Sequence, residues 1–210
     1  MGKSIFFVYL FVTSFVMFAQ KPFQGVLVYN VYLQDTSLHS IFPPEKMILY
    51  TNDTLLRIET QTHLTGQQTQ IRHLQKQRSI LLLDSPKGKY GIQIIDTSSV
   101  IKYNYNIAKG KTRMFDYKAK NVLITNNLLK SSFNATYIPQ ISGKYVPGFE
   151  NSPGLLTKYL VNTLDGIYVY ELISIEKMNI PASAFSVPTD YQLIKMDDFI
   201  QLFGEEETIE

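Results

Sequence analysis

Apolar and polar residues alternate along much of this chain with the period of a β-strand. The segments 54–62 and 100–107 place apolar or neutral side chains at every second position, with polar side chains between them. Such alternation predicts strands that bury one face and expose the other. Segment 166–178 is predicted to be the longest late strand, with Ile167, Val169, Ile173 and Ile175 on one face. Segment 197–203 has a helical pattern, and we expect one or two helical turns there with Asp197 as a candidate cap. Segment 155–161 is compatible with either a short helix or a strand.

The turn signals between these segments favour one large sheet. Asn52-Asp53 stands between two strand-like segments and predicts a tight hairpin. The basic segment 109–117 predicts a loop, and the Pro/Gly-rich segment 139–154 predicts the longest irregular region of the second half. About ten strands follow one another, and no linker or fixed-period repeat divides the chain. We therefore predict a mainly β (α+β) domain over residues 20–204, a curved antiparallel sheet with one or two short helices. A sheet of that size tends to curl, which predicts a half-barrel with an apolar inner face.

The inner face is the candidate ligand-binding surface. Segment 23–33 carries apolar side chains on both faces, so it is covered on both sides or lines a cavity on one side. We predict that the inner face includes Tyr29, Val31, Ile58, Tyr103, Tyr105 and Val169. The alternative is that the same side chains fill the core.

The N-terminus predicts export. A lysine at position 3 precedes an apolar run over 5–18, and Ala19 stands at a plausible cleavage point. This pattern is typical of a secretory signal peptide over residues 1–19; the alternative is an uncleaved N-terminal anchor. Cys is absent, so disulfides, thiolate metal sites and lipidation after the signal are excluded. These features predict a periplasmic or otherwise exported protein of a Gram-negative bacterium, without a stable transmembrane span after cleavage.

Charge is distributed unevenly along the chain. Segment 57–120 holds twelve basic and four acidic residues, whereas segment 165–210 holds two basic and ten acidic residues. One interpretation is that the two sets partly neutralise each other across the fold. The other is a basic surface that meets anionic lipid or an acidic partner. Nucleic acid is not an expected partner of an exported chain, and the tail 205–210 is acidic.

Catalytic and cofactor motifs are missing from the sequence. His39, His63 and His73 do not form a close pair at metal-ligand spacing, so we predict no metal site. The chain contains no nucleophile elbow, P-loop or dinucleotide fingerprint, and no cofactor is predicted. Glu150 is the one candidate general acid or base. We accordingly expect a protein that is not an enzyme.

Five motifs resemble the GLPGLI family of bacterial envelope proteins. The segment FENSPGLL at 149–156 resembles the motif that names the family, with Phe149, Pro153, Gly154, Leu155 and Leu156 at the matching positions. FQGVLVYNV, FDYKAKNVLIT and ATYIPQI resemble three of its strands. FSVPTDY at 185–191 is similar both to its terminal element and to a neighbouring group of LolA-like domains. The resemblance implies an exported protein with a curved antiparallel sheet, and no catalytic residue.

The Pro-Gly step of this motif predicts a structural role. Pro153 fixes its own φ and Gly154 permits a positive φ, so we expect a sharp turn that returns Leu155 and Leu156 to the core. The alternative is a loop that contacts a ligand.

Three functions are compatible with the sequence. The first is the binding of a lipid or other apolar ligand in the half-barrel. The second is a structural or assembly role, in which a basic or acidic surface docks on an outer-membrane or secretion component. The third is an envelope hydrolase, which would need carboxylates converging near Glu150. Whether the inner face is open or filled distinguishes the first two.

Overall fold

The computed structural model describes residues 22–62, 66–76, 78–85, 87–95, 103–126, 128 and 130–204. The predicted signal peptide, 1–19, and the acidic tail, 205–210, lie outside the described residues. Among the described residues, no helix is both long and apolar enough to cross a membrane.

The described residues form one open sheet of twelve strands and one short helix, which confirms the predicted fold class. The strands are β1 Gly25–Leu33, β2 Glu45–Thr51, β3 Leu55–Thr62, β4 Gly66–His73, β5 Arg78–Ser85, β6 Gly88–Ile95, β7 Tyr103–Met114, β8 Tyr117–Asn126, β9 Ser131–Ile138, β10 Leu155–Thr163, β11 Gly166–Lys177 and β12 Gln192–Lys195, and the helix is α1 Met196–Gly204. Their order in the sheet is β12-β6-β5-β4-β3-β2-β1-β11-β10-β9-β8-β7. Two meanders, β1–β6 and β7–β11, therefore meet where β1 pairs with β11.

The sheet curls around a core on its concave face. Side chains from β1, β2 and β3 share one buried cluster with side chains from β8, β9 and β10, although β3 and β8 are separated by five other strands. A flat sheet could not bring such distant strands into one cluster. The concave face therefore contains the main core.

A second core covers the convex face of the first meander. Ile71 and Leu82 point to this face and pack against Ile180 and Phe185. The latter two belong to the crossing segment 178–191, which runs from the end of β11 to β12 and contains a 3-10 turn, Ala182–Phe185. Arg57 on β3 donates from its Nη1 to the Ala184 carbonyl at 3.0 Å and fixes the segment in place. Strands near β1 are thus covered on both faces.

Strand β7 and the final strand differ from the sequence prediction. The basic segment after Ile107, expected to be a loop, continues as strand to Met114 and pairs with β8 through a turn at 115–116. Strand β12 was not predicted, and it pairs with β6 in parallel, unlike the antiparallel pairs elsewhere among the described strands. Segment 155–161, for which helix and strand were both open, is a strand.

A bulge in β11 changes which side chains face the core. Leu172 pairs with Tyr29 and Ser174 pairs with Val28, so Ile173 is an extra residue without its own partner. Because alternation restarts after the bulge, Tyr170 and Leu172 face the concave side before it and Ile175 faces that side after it. Our expectation that Ile167, Val169, Ile173 and Ile175 share one face was therefore wrong.

Candidate functional site

Residues 139–154, the plug segment, cross the concave face of the sheet. The segment joins β9 to β10 and contains a 3-10 turn, Gly143–Tyr145, which Ser142 caps by accepting the Lys144 N–H. Pro and Gly residues in the segment favour turns over a continuing strand. Tyr145 and Val146 are fully buried and Phe149 is 3% exposed, so the segment adds its side chains to the core.

Phe149 is the centre of an aromatic cluster on the concave face. Its ring stacks on Tyr103 at a centroid distance of 4.6 Å and meets Tyr159 edge-on at 5.0 Å. Tyr159 in turn stacks on Tyr170 at 4.9 Å and contacts Tyr29 at 5.9 Å. This chain of rings connects the plug segment to β1, β7, β10 and β11, and occupies the space that an apolar ligand would need.

Two ion pairs fasten the plug segment to the first meander. Lys144 Nζ lies 2.7 Å from Asp53 in the β2–β3 turn, and the Tyr145 hydroxyl donates to the same carboxylate. Burial opposes ionisation of Asp53, but the hydrogen bonds from Lys144 and Tyr145 outweigh it and hold the pKa of Asp53 below its ordinary value. At the other end, Arg72 Nη2 lies 3.1 Å from Glu150.

The predicted ligand-facing residues lie mostly in this filled core. Tyr29 and Ile58 belong to the buried cluster, and Val31, Tyr103 and Tyr105 pack against it while partly buried. The Tyr29 hydroxyl donates to the Leu156 carbonyl at 2.7 Å, and burial raises the pKa of Tyr29 well above its usual range. Val169 lies apart from the other five residues. It pairs with Tyr32 and Leu160, which places it on the convex face.

The motif residues have a structural role, but Gly154 acts differently from the prediction. Leu155 and Leu156 are fully buried at the start of β10, and Pro153 is partly buried. Gly154 does not have a positive φ. A Cβ at this position would lie 2.3 Å from the Ile138 carbonyl oxygen, so glycine is required because the two backbones pass so close together.

Among the described residues, the concavities outside the filled core include a cleft and a groove. A cleft of about 180 Å³ lies between the plug segment and strands β2–β5 and is lined by Met47, Ile58, Thr60, Gln68, Gln70, Leu81 and Pro147. A larger groove of about 420 Å³ lies over β7–β10, with Asn121, Asn134, Thr136 and Lys158 among its lining residues. Of the six predicted ligand-facing residues, Ile58 alone lines either of these concavities.

The groups considered for chemistry have ordinary structural partners. His39 Nε2 lies 2.7 Å from the Leu33 carbonyl, and the ring nitrogen Nδ1 of His73 accepts the Gln75 N–H at 3.3 Å. His63 lies outside the described residues. Glu150 pairs with Arg72 and accepts the Gly148 N–H at 3.0 Å. Within the described ranges, no three His, Cys, Asp or Glu residues converge as a metal site would require.

Sequence reasoning missed the polar anchors of the plug segment. Asp53 was assigned only to a hairpin turn, and Lys144 and Tyr145 only to an irregular region. Their contacts join residues about ninety positions apart, as in the Lys144–Asp53 pair with a separation of 91. One signal was available: Tyr145, Val146 and Phe149 are large apolar residues within a Pro/Gly-rich segment, which favours a buried loop.

Comparison with known proteins extends the description of the fold. No family model and no curated protein sequence matches the chain. The structure of PNGF-II in space group C2 is similar with a TM-score of 0.55 at 11% identity, covering 86% of this chain and 32% of that chain. PNGF-II in space group P21 gives a TM-score of 0.55 at 9% identity, covering 87% and 33%. The chain thus spans about a third of these longer proteins, and the likeness concerns the fold alone.

Proposed function

We propose that this protein is an exported, non-catalytic docking module of the Gram-negative envelope, which acts by attaching to another envelope component. The observation that carries the proposal is the plug segment. It fills the concave face with Tyr145, Val146 and Phe149, and two ion pairs hold it there. A carrier of lipid needs an open concavity, whereas a docking module needs a rigid body with an exposed surface.

The size of the remaining cleft supports the same proposal. Pockets for organic ligands usually have volumes of about 300–1,000 Å³. The cleft beside Pro147 has about 180 Å³, less than an acyl chain and headgroup would require. The groove over β7–β10 has about 420 Å³, but its lining includes Asn121, Asn134, Thr136 and Lys158, whereas pockets for apolar ligands are lined mainly by apolar side chains.

Binding of an apolar ligand remains a second candidate, and one observation favours it. The cleft has an apolar wall of Met47, Ile58, Leu81 and Pro147, with Thr60, Gln68 and Gln70 at its side. A small apolar molecule would fit there without displacing the plug segment. A larger lipid would have to displace Phe149 from its ring contacts.

Native mass spectrometry of residues 20–210, purified gently from a Gram-negative envelope, distinguishes the two functions. Docking predicts the mass of the protein alone once it has been separated from the membrane, no stoichiometric uptake of single lipid molecules, and crosslinks in the intact envelope that depend on surface residues. A stoichiometric added mass that stays with the separated protein, that organic solvent removes and that is identified as lipid would contradict docking and support the carrier. A Phe149→Ala variant enlarges the concave space, and uptake by this variant alone would show that the plug segment normally prevents it.

A further inference from the structure

The tip of the β7–β8 hairpin projects beyond the rest of the sheet. Pairing between β8 and β9 ends where Lys120 meets Tyr137, so residues 117–119 pair only with β7. The turn that joins the strands carries Phe115, with φ of 55° and an exposed fraction of 43%. An aromatic side chain thus stands at the turn of a hairpin that extends beyond its pairing with β9.

The tip is held firmly although it projects. Ala119 is fully buried in the concave-face core, and Met114 and Tyr117 pack against that core. Lys177 on β11 places its Nζ 5.4 Å from the centroid of the Tyr117 ring. Phe115 is not among the residues that pack against this core. Because the hairpin is held in place, the exposed part of the Phe115 ring can be buried only by contact with another molecule or a membrane.

Basic residues flank Phe115 along both strands of the hairpin and outnumber its acidic residues. The segment 109–120 contains five basic residues, Lys109, Lys111, Arg113, Lys118 and Lys120, and one acidic residue, Asp116. Arg113 lies 3.9 Å from Asp116, and both side chains are almost fully exposed. The four lysines have no ion pair among the described residues. The acidic helix α1, with Asp197 and Asp198 in its first turn, lies at the opposite edge of the sheet.

The geometry of β7 argues against the addition of a partner strand at this edge. Ile107 pairs with Val122 and Lys111 pairs with Lys120, so three residues of β7, 108–110, face the single residue Asn121. Such an irregularity interrupts the row of backbone groups with which an added strand would pair. Charged lysine side chains on an edge strand also disfavour the addition of another strand. A broad anionic surface requires no such row.

We propose that the tip of the β7–β8 hairpin docks this protein on the anionic surface of a lipid bilayer. Phe115 enters the headgroup region and the surrounding lysines and Arg113 contact lipid phosphates. An exposed aromatic side chain surrounded by Lys and Arg is the combination that peripheral membrane elements use. The inference rests on the proposed docking function and specifies the component that is docked upon.

Vesicle cosedimentation of residues 20–210 tests this proposal. We expect binding to phosphatidylcholine vesicles that contain phosphatidylglycerol, weakening as salt is added, and little binding to phosphatidylcholine alone. Lys111→Gln with Lys118→Gln should weaken binding about 30-fold, because each cation near the surface contributes about 1 kcal/mol. The control variant, Lys76→Gln with Lys195→Gln, removes the same number of positive charges from positions outside the hairpin. It should bind within about twofold of the parent protein, because only cations near the membrane surface contribute to binding.

The aromatic residue has its own variant and control. Phe115→Asn should weaken binding about tenfold, and it should fold normally because Asn tolerates a positive φ. Leu164→Asn removes an apolar side chain from the β10–β11 turn, where Leu164 is fully exposed, and should bind like the parent protein. A thermal melt of each variant verifies that it is folded.

Several results would overturn the lipid assignment. The first is an absence of binding to vesicles, and the second is equal binding to neutral and anionic vesicles. The third is a loss of binding in the Lys76 and Lys195 control as large as that in the Lys111 and Lys118 variant. Full competition by soluble polyglutamate, with no effect of Phe115→Asn, would also overturn it and would identify an acidic protein as the partner. If vesicle binding fails while envelope crosslinks to a protein persist, the docking function stands without the membrane contact.

Discussion

At the scale of single residues, two glycines of the plug segment are constrained in different ways. Gly154 is constrained by a close approach, because its backbone passes the Ile138 carbonyl with no room for a Cβ. Gly148, six residues earlier in the plug segment, is the opposite case. Its φ is +80° and no atom lies within 4 Å of a Cβ placed there.

Substitution at these two glycines should therefore have different effects. Gly154→Ala is expected to lower the free energy of unfolding by about 1–3 kcal/mol or more, since the backbone of β9 or β10 must shift. Gly148→Asn, which tolerates a positive φ and meets open space, should change it by less than about 0.5 kcal/mol. Chemical denaturation of both variants provides the measurement, and equal stability of the two would contradict the close-approach argument.

At the scale of elements, the plug segment is held by contacts that titrate. Asp53 has a lowered pKa in the folded protein. Its stabilising contribution is therefore present above its unfolded value near 3.8 and is lost as the pH falls through the lower folded pKa. Loss of this contact loosens Lys144 and Tyr145 and with them the first half of the segment.

Asp53→Asn should reproduce this loss at neutral pH. The variant keeps the backbone, because Asn tolerates the φ of 74° found at Asp53. We expect it to be less stable than the parent protein by about 1–2 kcal/mol at neutral pH. The difference should vanish well below pH 3.8, where the parent carboxylate is protonated as well. Asp116→Asn, at a carboxylate that is 99% exposed, should show no difference at either pH.

How far the sequence predicts an element depends on whether its pattern is local. The hairpin at Asn52-Asp53 and the alternation in β3 were predictable, since neighbouring residues determine both. The faces of β11 were not, because the extra residue Ile173 reverses the alternation and nothing in the local pattern marks it. Strand β12 has four residues and depends on its pairing with β6, and the basic part of β7 depends on β8 in the same way.

The sequence predicted several residues that line the candidate site. It did not predict that the chain's own plug segment fills that site. Alternation correctly assigned Tyr29, Ile58 and Tyr103 to the concave side. That the chain's own Phe149 would stack on Tyr103 follows from the path of the plug segment across the sheet, which joins residues far apart in sequence. Local patterns contain no information about such a path.

At the scale of the whole molecule, we expect the protection of backbone amides against hydrogen exchange to decrease from the middle of the sheet to its edges. Strand β1 lies between β2 and β11, with core on its concave face and Val26 in the convex-face cluster. Residues 106–113 of β7 are all exposed and have a described neighbour on one side only.

Amide hydrogen exchange measures this gradient. Exchange should be slowest in β1, β2 and β11 and fastest in β12 and the outer residues of β7, because opening an edge strand costs less than opening the centre. Exchange from β12 as slow as that from β1 would contradict the described strand order.

The pairing of β1 with β11 has a consequence for the time at which the protein can fold. Gly25 pairs with Lys177, so β1 has one edge unpaired until β11, about 150 residues later in the chain, has also been made. Contacts over such separations form slowly, because a long segment must close before they are gained. If the chain is exported as its N-terminus predicts, its strand order delays folding during synthesis, which suits translocation of an unfolded polypeptide.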